Sequence, residues 1–255
     1  MTDVALFIHS TGTGPFMWKR LMASVPDGMT ALAPVNRGYA PDDLFQRGQP
    51  FDIAMDLDHL KTQIPAGTNG LHLVAHSYGG LLALHLALDP TLPVKSLWLY
   101  EPVMFGSLRL IQHELSPEVG REVAALYDTP DFFGEETGGD ARWLEGFVDY
   151  WSQPGTWAAM PEKVKALSLA LGWKMFQEVR AQAMLSRPLA DYRLRVPMTL
   201  LHGQHTRAPA RDMVQRLAAL NPQAVLVSLG GLGHMSVAAP ADEVMASLQA
   251  HWRRL

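Results

Sequence analysis

The stretch LHLVAHSYGGLLALHLAL, residues 71–88, consists of an apolar run, a tight turn holding one serine, and a second apolar run of helix-forming residues. The first run has the length and the unbroken apolar character of a strand buried on both faces. The second reads as a helix over about 78–89. Ser77 therefore stands where a strand turns into a helix within one residue. Such a turn strains the backbone and leaves room only for small side chains two positions to either side, where Ala75 and Gly79 stand, followed by Gly80. It also lifts the serine above the end of the sheet and places it at a helix N-terminus. Free backbone N–H groups and the positive end of the helix dipole can stabilise a developing oxyanion there. These are the features of a nucleophile elbow, with alanine at the first small position. The plainer alternative is a helix N-cap serine; the strand–turn–helix context favours the nucleophile.

Outward from the elbow, strand-like runs alternate with helix-length amphipathic ones, the pattern of a parallel sheet flanked by helices. Strands are expected at VALFIHS (4–10), TALAPV (30–35), LHLVAH (71–76), SLWLYE (96–101), MTLLHG (198–203) and AVLVSL (224–229). Helices are expected at roughly 15–25, 52–64, 78–89, 209–220 and 240–254. Between Pro102 and Val196 the alternation stops and helical stretches broken by Pro and Gly take over. The expected organisation is an α/β core over 1–101 and 197–255, interrupted by a helical cap insertion over 102–196. The acidic residues Asp128, Asp131, Glu135, Glu136 and Asp140 are read as a solvated loop.

Composition narrows the function. The chain of 255 residues is 48% hydrophobic with net charge −4, so neither nucleic acid nor an anionic membrane is an expected partner. The lack of cysteine excludes disulfides, thiolate metal sites and a cysteine nucleophile. The N-terminal MTDVALFIHS lacks the basic start and long apolar stretch of a secretory leader, and the apolar runs are too short to span a membrane. A cytoplasmic setting is the default expectation. No G-x-G-x-x-G follows the first strand and no H-E-x-x-H occurs, so no cofactor or metal is expected. Oligomeric state is not legible.

Five features together resemble the α/β-hydrolase superfamily over nearly the whole chain: the entry FIHSTGTGPFMW, the elbow VAHSYGG, the helical stretch after LYEP, the run VPMTLLHG, and GLGHM near the end. More narrowly they are similar to bacterial esterase/lipase-like hydrolases with a small helical cap. The resemblance implies a mostly parallel sheet of about six strands, lacking the family's first two. It places the general base at His234, in the glycine-rich turn after the last strand, ahead of His76, His202 and His205. Neutral imidazole near pH 7 suits that task. It makes HSTGTG (9–14) the oxyanion loop, with Ser10 in place of the usual glycine and His9 as a structural prop. The donors it implies are the backbone N–H groups of Tyr78 and Thr11, with Ser10 as the lesser candidate.

The third member of the relay is the difficulty. In most of the superfamily an acid follows the strand read here as MTLLHG, but that turn is QHTRAP, with Thr206 where aspartate is expected. A threonine cannot carry the charge that fixes the histidine tautomer. Glu101, at the end of SLWLYE, is the preferred replacement, and it keeps the chain order Ser, acid, His. Against it stands a surface role in which Glu101 pairs with Arg109 or Arg187. Asp212 is a weaker candidate because it lies within a helix. With no acid at all, the chain would be a feeble Ser–His dyad or a scaffold that only binds a ligand.

The insertion is rich in aromatic and thioether side chains, among them Phe105, Phe147, Trp151, Trp157, Trp173 and Met175, and WSQPGTW (151–157) reads as a rigid bend. Most of these residues are expected to form the insertion's own core. The rest would wall a cleft that takes an apolar small molecule. The leading reading is a serine hydrolase of small apolar or aromatic esters, with a C–C bond hydrolase or a lyase on the same scaffold as the enzymatic alternative. A dehalogenase would need aspartate at position 77.

Overall fold

The computed structural model describes residues 2–255. Six strands, β1 (Asp3–Ile8), β2 (Met29–Leu32), β3 (Gly70–His76), β4 (Val94–Tyr100), β5 (Met198–Gly203) and β6 (Ala224–Leu229), form one parallel sheet in the order β2-β1-β3-β4-β5-β6. Side chains alternate across it. Leu6, Ile8, Leu73, Ala75, Leu97, Leu99 and Leu200 face one core, and Phe7, Val74, Trp98, Tyr100 and Leu201 face the other. Helices α2 (Ile53–Thr62), α3 (Tyr78–Ala87) and α9 (Ala208–Leu220) cover the first face, and α1 (Lys19–Met22) and α10 (Asp242–Trp252) cover the second. From β1 the chain steps to β2 on one side, then crosses to β3 on the other. The carboxyl ends of β1 and β3 therefore flank a topological switch point, the crevice where ligands bind in open parallel sheets.

The departures from sequence expectation have local causes. The first strand ends at Ile8, where the chain turns and the His9 ring bonds the Ser10 carbonyl. The second stops at Leu32, since Pro34 has no N–H for the ladder. The helix expected over 15–25 is a 3₁₀ turn (Pro15–Trp18) followed by the single turn α1, closed before Pro26, which disfavours helical backbone at Val25. The two edge strands are the less buried ones: β6 has Val225 42% and Leu226 44% exposed, and no residue of β2 is fully buried.

Between β4 and β5 the chain leaves the sheet and forms α4 (Phe105–Leu110), α5 (Pro117–Asp128), α6 (Ala141–Trp151), α7 (Thr156–Ala159) and α8 (Glu162–Met184). Trp143, Leu144, Trp157, Trp173, Met175 and Phe176 make a separate apolar core there, joined by Phe45. The bend at 151–157 is held by Asp149, whose carboxylate accepts from the backbone N–H groups of Gly155 (2.7 Å) and Trp157 (2.8 Å). The acidic stretch is not merely solvated: Asp140 caps α6 by accepting from Trp143 N at 2.8 Å, and Glu135 pairs with Arg180.

Candidate active site

Ser77 occupies the one-residue junction between β3 and α3 at φ 54°, ψ −121°, a left-handed conformation that costs a serine about 1–3 kcal/mol. The strain is held by packing on both sides. The Ser77 N–H donates to Tyr100 O at 3.1 Å, and Ser77 O accepts from Gly80 N at 2.9 Å. Gly79 has no room for a side chain, since a Cβ there would stand 2.4 Å from Ile8 O and 2.6 Å from His9 O. The small residue after the serine thus lets α3 lie against the end of β1.

His234 lies in a 3₁₀ turn (His234–Val237) after β6. Its Nε2 is 3.0 Å from Ser77 Oγ and its Nδ1 is 2.6 Å from Glu101 Oε2. A carboxylate can only accept, so Nδ1 carries the proton and the Nε2 lone pair faces the serine. Glu101 follows β4 at φ 45° and is fully buried. A buried carboxylate needs donors, and Glu101 has three: Gly203 N to Oε1 at 2.7 Å, Thr206 Oγ to Oε2 at 2.6 Å, and His234. Thr206, the residue that left the usual acid position empty, is thus a donor to the glutamate on the neighbouring strand. Arg109 lies over the Tyr127 ring, Arg187 pairs with Asp191, and Asp212 binds Arg216 on its own helix, so none of these engages Glu101.

The imidazole of His234 is enclosed by rings. Trp151, the last residue of α6, stacks on it at 3.8 Å between centroids, and His76 lies at 4.5 Å. Burial pushes the His76 imidazolium well below its ordinary pKa, and His234 lowers it further, so His76 is neutral. His202 is buried with its Nδ1 against Gly203 O, 3.1 Å away, and His205 is exposed beside the site.

The loop after β1 meets the serine across the switch point. His9 Nε2 accepts from Asn36 N at 2.9 Å and its Nδ1 donates to Ser10 O at 3.0 Å; burial pushes its pKa down to about 4, so the ring is a neutral prop. Thr11, Ser77 and Tyr78 all line one cavity, whose other walls are mainly apolar, among them Val103, Phe105, Phe147, Trp151 and Val179, with Tyr150 and Gln182 as polar members. Ser10 does not border it; its hydroxyl lies against Thr13 Oγ at 3.1 Å. As first residue of α3, Tyr78 has no intrahelical acceptor for its N–H. The cavity is tight, with about 30 Å³ open to a water-sized sphere. A second, more polar cleft of about 450 Å³ lies beside Trp151, bordered by Ser152, Gln153, Thr206, Arg207 and His234.

Sequence reading missed Thr206 as a donor, Trp151 as a lid on the histidine, and a buried ion cluster formed by Asp56, Lys174 and Glu178. For the cluster the sequence carries no local signal, since Lys174 and Glu178, four apart on α8, have the spacing of an ordinary surface pair. Among the described residues no three His, Asp or Glu side chains are grouped to hold a metal, and no helix is long and apolar enough to cross a membrane.

No curated protein matches the chain in sequence. Solved structures match its whole length at low identity. MenH from S. aureus superposes with a TM-score of 0.72 at 16% identity, covering 99% of this chain and 94% of that one. An alpha/beta hydrolase from Sphaerobacter thermophilus gives 0.69 at 17% identity, covering 98% and 92%. The enol-lactonase from Burkholderia xenovorans LB400 gives 0.67 at 17% identity, covering 99% and 92%. At these identities the likeness is one of fold. The family model described as the alpha/beta hydrolase family matches residues 5–247, nearly the full chain, and the chain belongs to that family.

Proposed function

We propose that the protein is a serine hydrolase that cleaves small apolar or aromatic esters through an acyl-enzyme, with Ser77 as nucleophile, His234 as base and Glu101 as the third member. The observation that carries this reading is the unbroken chain Ser77 Oγ–His234 Nε2 at 3.0 Å and His234 Nδ1–Glu101 at 2.6 Å, starting from a strained serine. Ser77 Oγ attacks the ester carbonyl carbon while His234 Nε2 takes its proton, and Glu101 stabilises the imidazolium. The carbonyl oxygen becomes an oxyanion held by the N–H groups of Tyr78 and Thr11. The C–O bond to the leaving group breaks as Nε2 returns the proton to the departing alcohol. Water, activated by the same imidazole, then releases the acid. The polar cleft beside Trp151 borders His234 and offers water a path to it. A scaffold that only binds ligand would have no need of a glutamate buried with three donors behind the histidine.

The apolar walls favour an apolar acyl group, and the tight cavity favours a short one. The open space around Ser77 is small, so a longer chain enters only as side chains of the helical insertion, read here as a cap, give way. The experiment is hydrolysis of p-nitrophenyl acetate, butyrate and decanoate by wild type and Ser77→Ala. The reading requires Ser77-dependent turnover with kcat/KM falling from butyrate to decanoate. Equal hydrolysis by Ser77→Ala would overturn it.

A further inference from the structure

Lys174, in α8 of the insertion, is completely enclosed, yet its ammonium has no part in the scheme above. It donates to Asp56 of α2 at 3.1 and 2.8 Å and to Glu178, one helical turn away, at 2.7 Å. Both carboxylates are as buried as the lysine. An ion cluster of this kind is costly to desolvate, and apolar side chains of similar volume commonly give equal or greater stability. Its use is better sought in what it holds. Asp56 Oδ2 accepts from the Tyr78 phenol at 2.9 Å, while Glu178 Oε2 accepts from the Tyr39 phenol at 2.8 Å. The Tyr39 oxygen in turn accepts from Gly12 N at 2.9 Å. Gly12 sits at φ +71° with its N–H turned away from the loop's own carbonyls.

The two ends of this network are therefore Tyr78 and the residue next to Thr11, the two segments whose N–H groups would face the oxyanion. Resting on the serine-hydrolase reading above, we propose that the Lys174–Asp56–Glu178 cluster is a positioning device. Through Tyr78 and Tyr39 it fixes the two halves of the oxyanion hole relative to each other, and it does so only while α8 is seated on the core. Cap closure and assembly of the hole are then a single event. The positions of the N–H groups matter because preorganised donors act only where the oxyanion forms.

Tyr39→Phe is the primary test, since it removes one oxygen and breaks the link between Gly12 and Glu178 without leaving a charge unpaired. The readouts are kcat and KM on p-nitrophenyl butyrate and the affinity for an aliphatic trifluoromethyl ketone. Attack of Ser77 on that ketone forms a hemiketal whose oxyanion reports on the hole. The proposal requires kcat to fall about tenfold or more with KM nearly unchanged, and ketone affinity to weaken by the same factor. Lys174→Met should show a larger loss of the same kind, whereas Lys163→Met, which removes an exposed lysine on the same helix, should leave both readouts unchanged. A folded Tyr39→Phe with wild-type kcat and ketone affinity overturns the positioning role alone. Wild type that neither hydrolyses the ester nor binds the ketone overturns the serine-hydrolase reading and this inference together.

Discussion

Glu101→Gln changes one atom in a site with little freedom to adapt. The carboxylate accepts at both oxygens: Gly203 N–H at Oε1, and Thr206 and His234 at Oε2. A glutamine must place its NH₂ at one of these positions. Facing Gly203 it would set two donors against each other, and the backbone N–H at the end of β5 cannot be re-aimed. The NH₂ therefore faces Thr206 and His234. The threonine hydroxyl can rotate and accept; the imidazole can accept at Nδ1 only by moving its proton to Nε2. That tautomer presents a proton to Ser77 Oγ where a lone pair is needed. In the serine-protease template the equivalent change lowers turnover by about 10⁴, or about 5 kcal/mol of transition-state stabilisation. Steady-state hydrolysis of p-nitrophenyl butyrate should show that loss in kcat with an unchanged thermal midpoint, while Asp212→Asn stays at the wild-type rate. Glu101→Gln within tenfold of wild type would refute the reasoning, and an Asp212→Asn as crippled as that would move the acid to α9.

Thr206→Val removes one of the three donors to the buried carboxylate. A hydrogen bond to a charged group contributes about 1.5–3 kcal/mol, so kcat is expected to drop by about tenfold or more, as read in the same assay. Stability should fall on mild acidification. His9 is buried and neutral with its pKa pushed down to about 4, against about 6.5 in the unfolded chain. Between these values the unfolded state binds a proton that the fold does not, so stability is full above about 6.5 and declines as pH falls toward 4, by about 3 kcal/mol from this residue. Urea unfolding at pH 7.5 and 4.5 measures it, and equal midpoints would contradict the burial of a neutral ring. Gly79→Ala drives a methyl group into the carbonyls of Ile8 and His9 and should cost about 1–3 kcal/mol, seen as a lowered midpoint together with lost turnover.

Much of this site was legible because its residues stand at positions defined by chain direction. A serine at a strand-to-helix turn, a histidine in a glycine-rich turn after the last strand and a glutamate closing an apolar strand can each be located from their neighbours alone. The six-stranded sheet was legible for the same reason, whereas the place of β2 and β6 at its two edges was not, because their apolar composition matches that of central strands. What escaped was pairing across distance. The bond from Thr206 to Glu101 joins residues 105 apart in the chain and exists only because β4 and β5 are neighbours. Trp151 read as part of a bend because nothing local says that the end of α6 meets a loop more than eighty residues later. Lys174 and Glu178, four apart on a helix, look like a solvated surface pair; only the packing of α8 on α2 makes them a buried cluster.

The central claim is that Ser77 is an activated nucleophile, and the intact mass of the protein after exposure to a fluorophosphonate addresses it most directly. The account predicts a single adduct on wild type, none on Ser77→Ala, and a rate of labelling that collapses in Glu101→Gln. A folded wild-type protein that takes up no phosphonate, or one labelled equally in the Ser77→Ala variant, would contradict it.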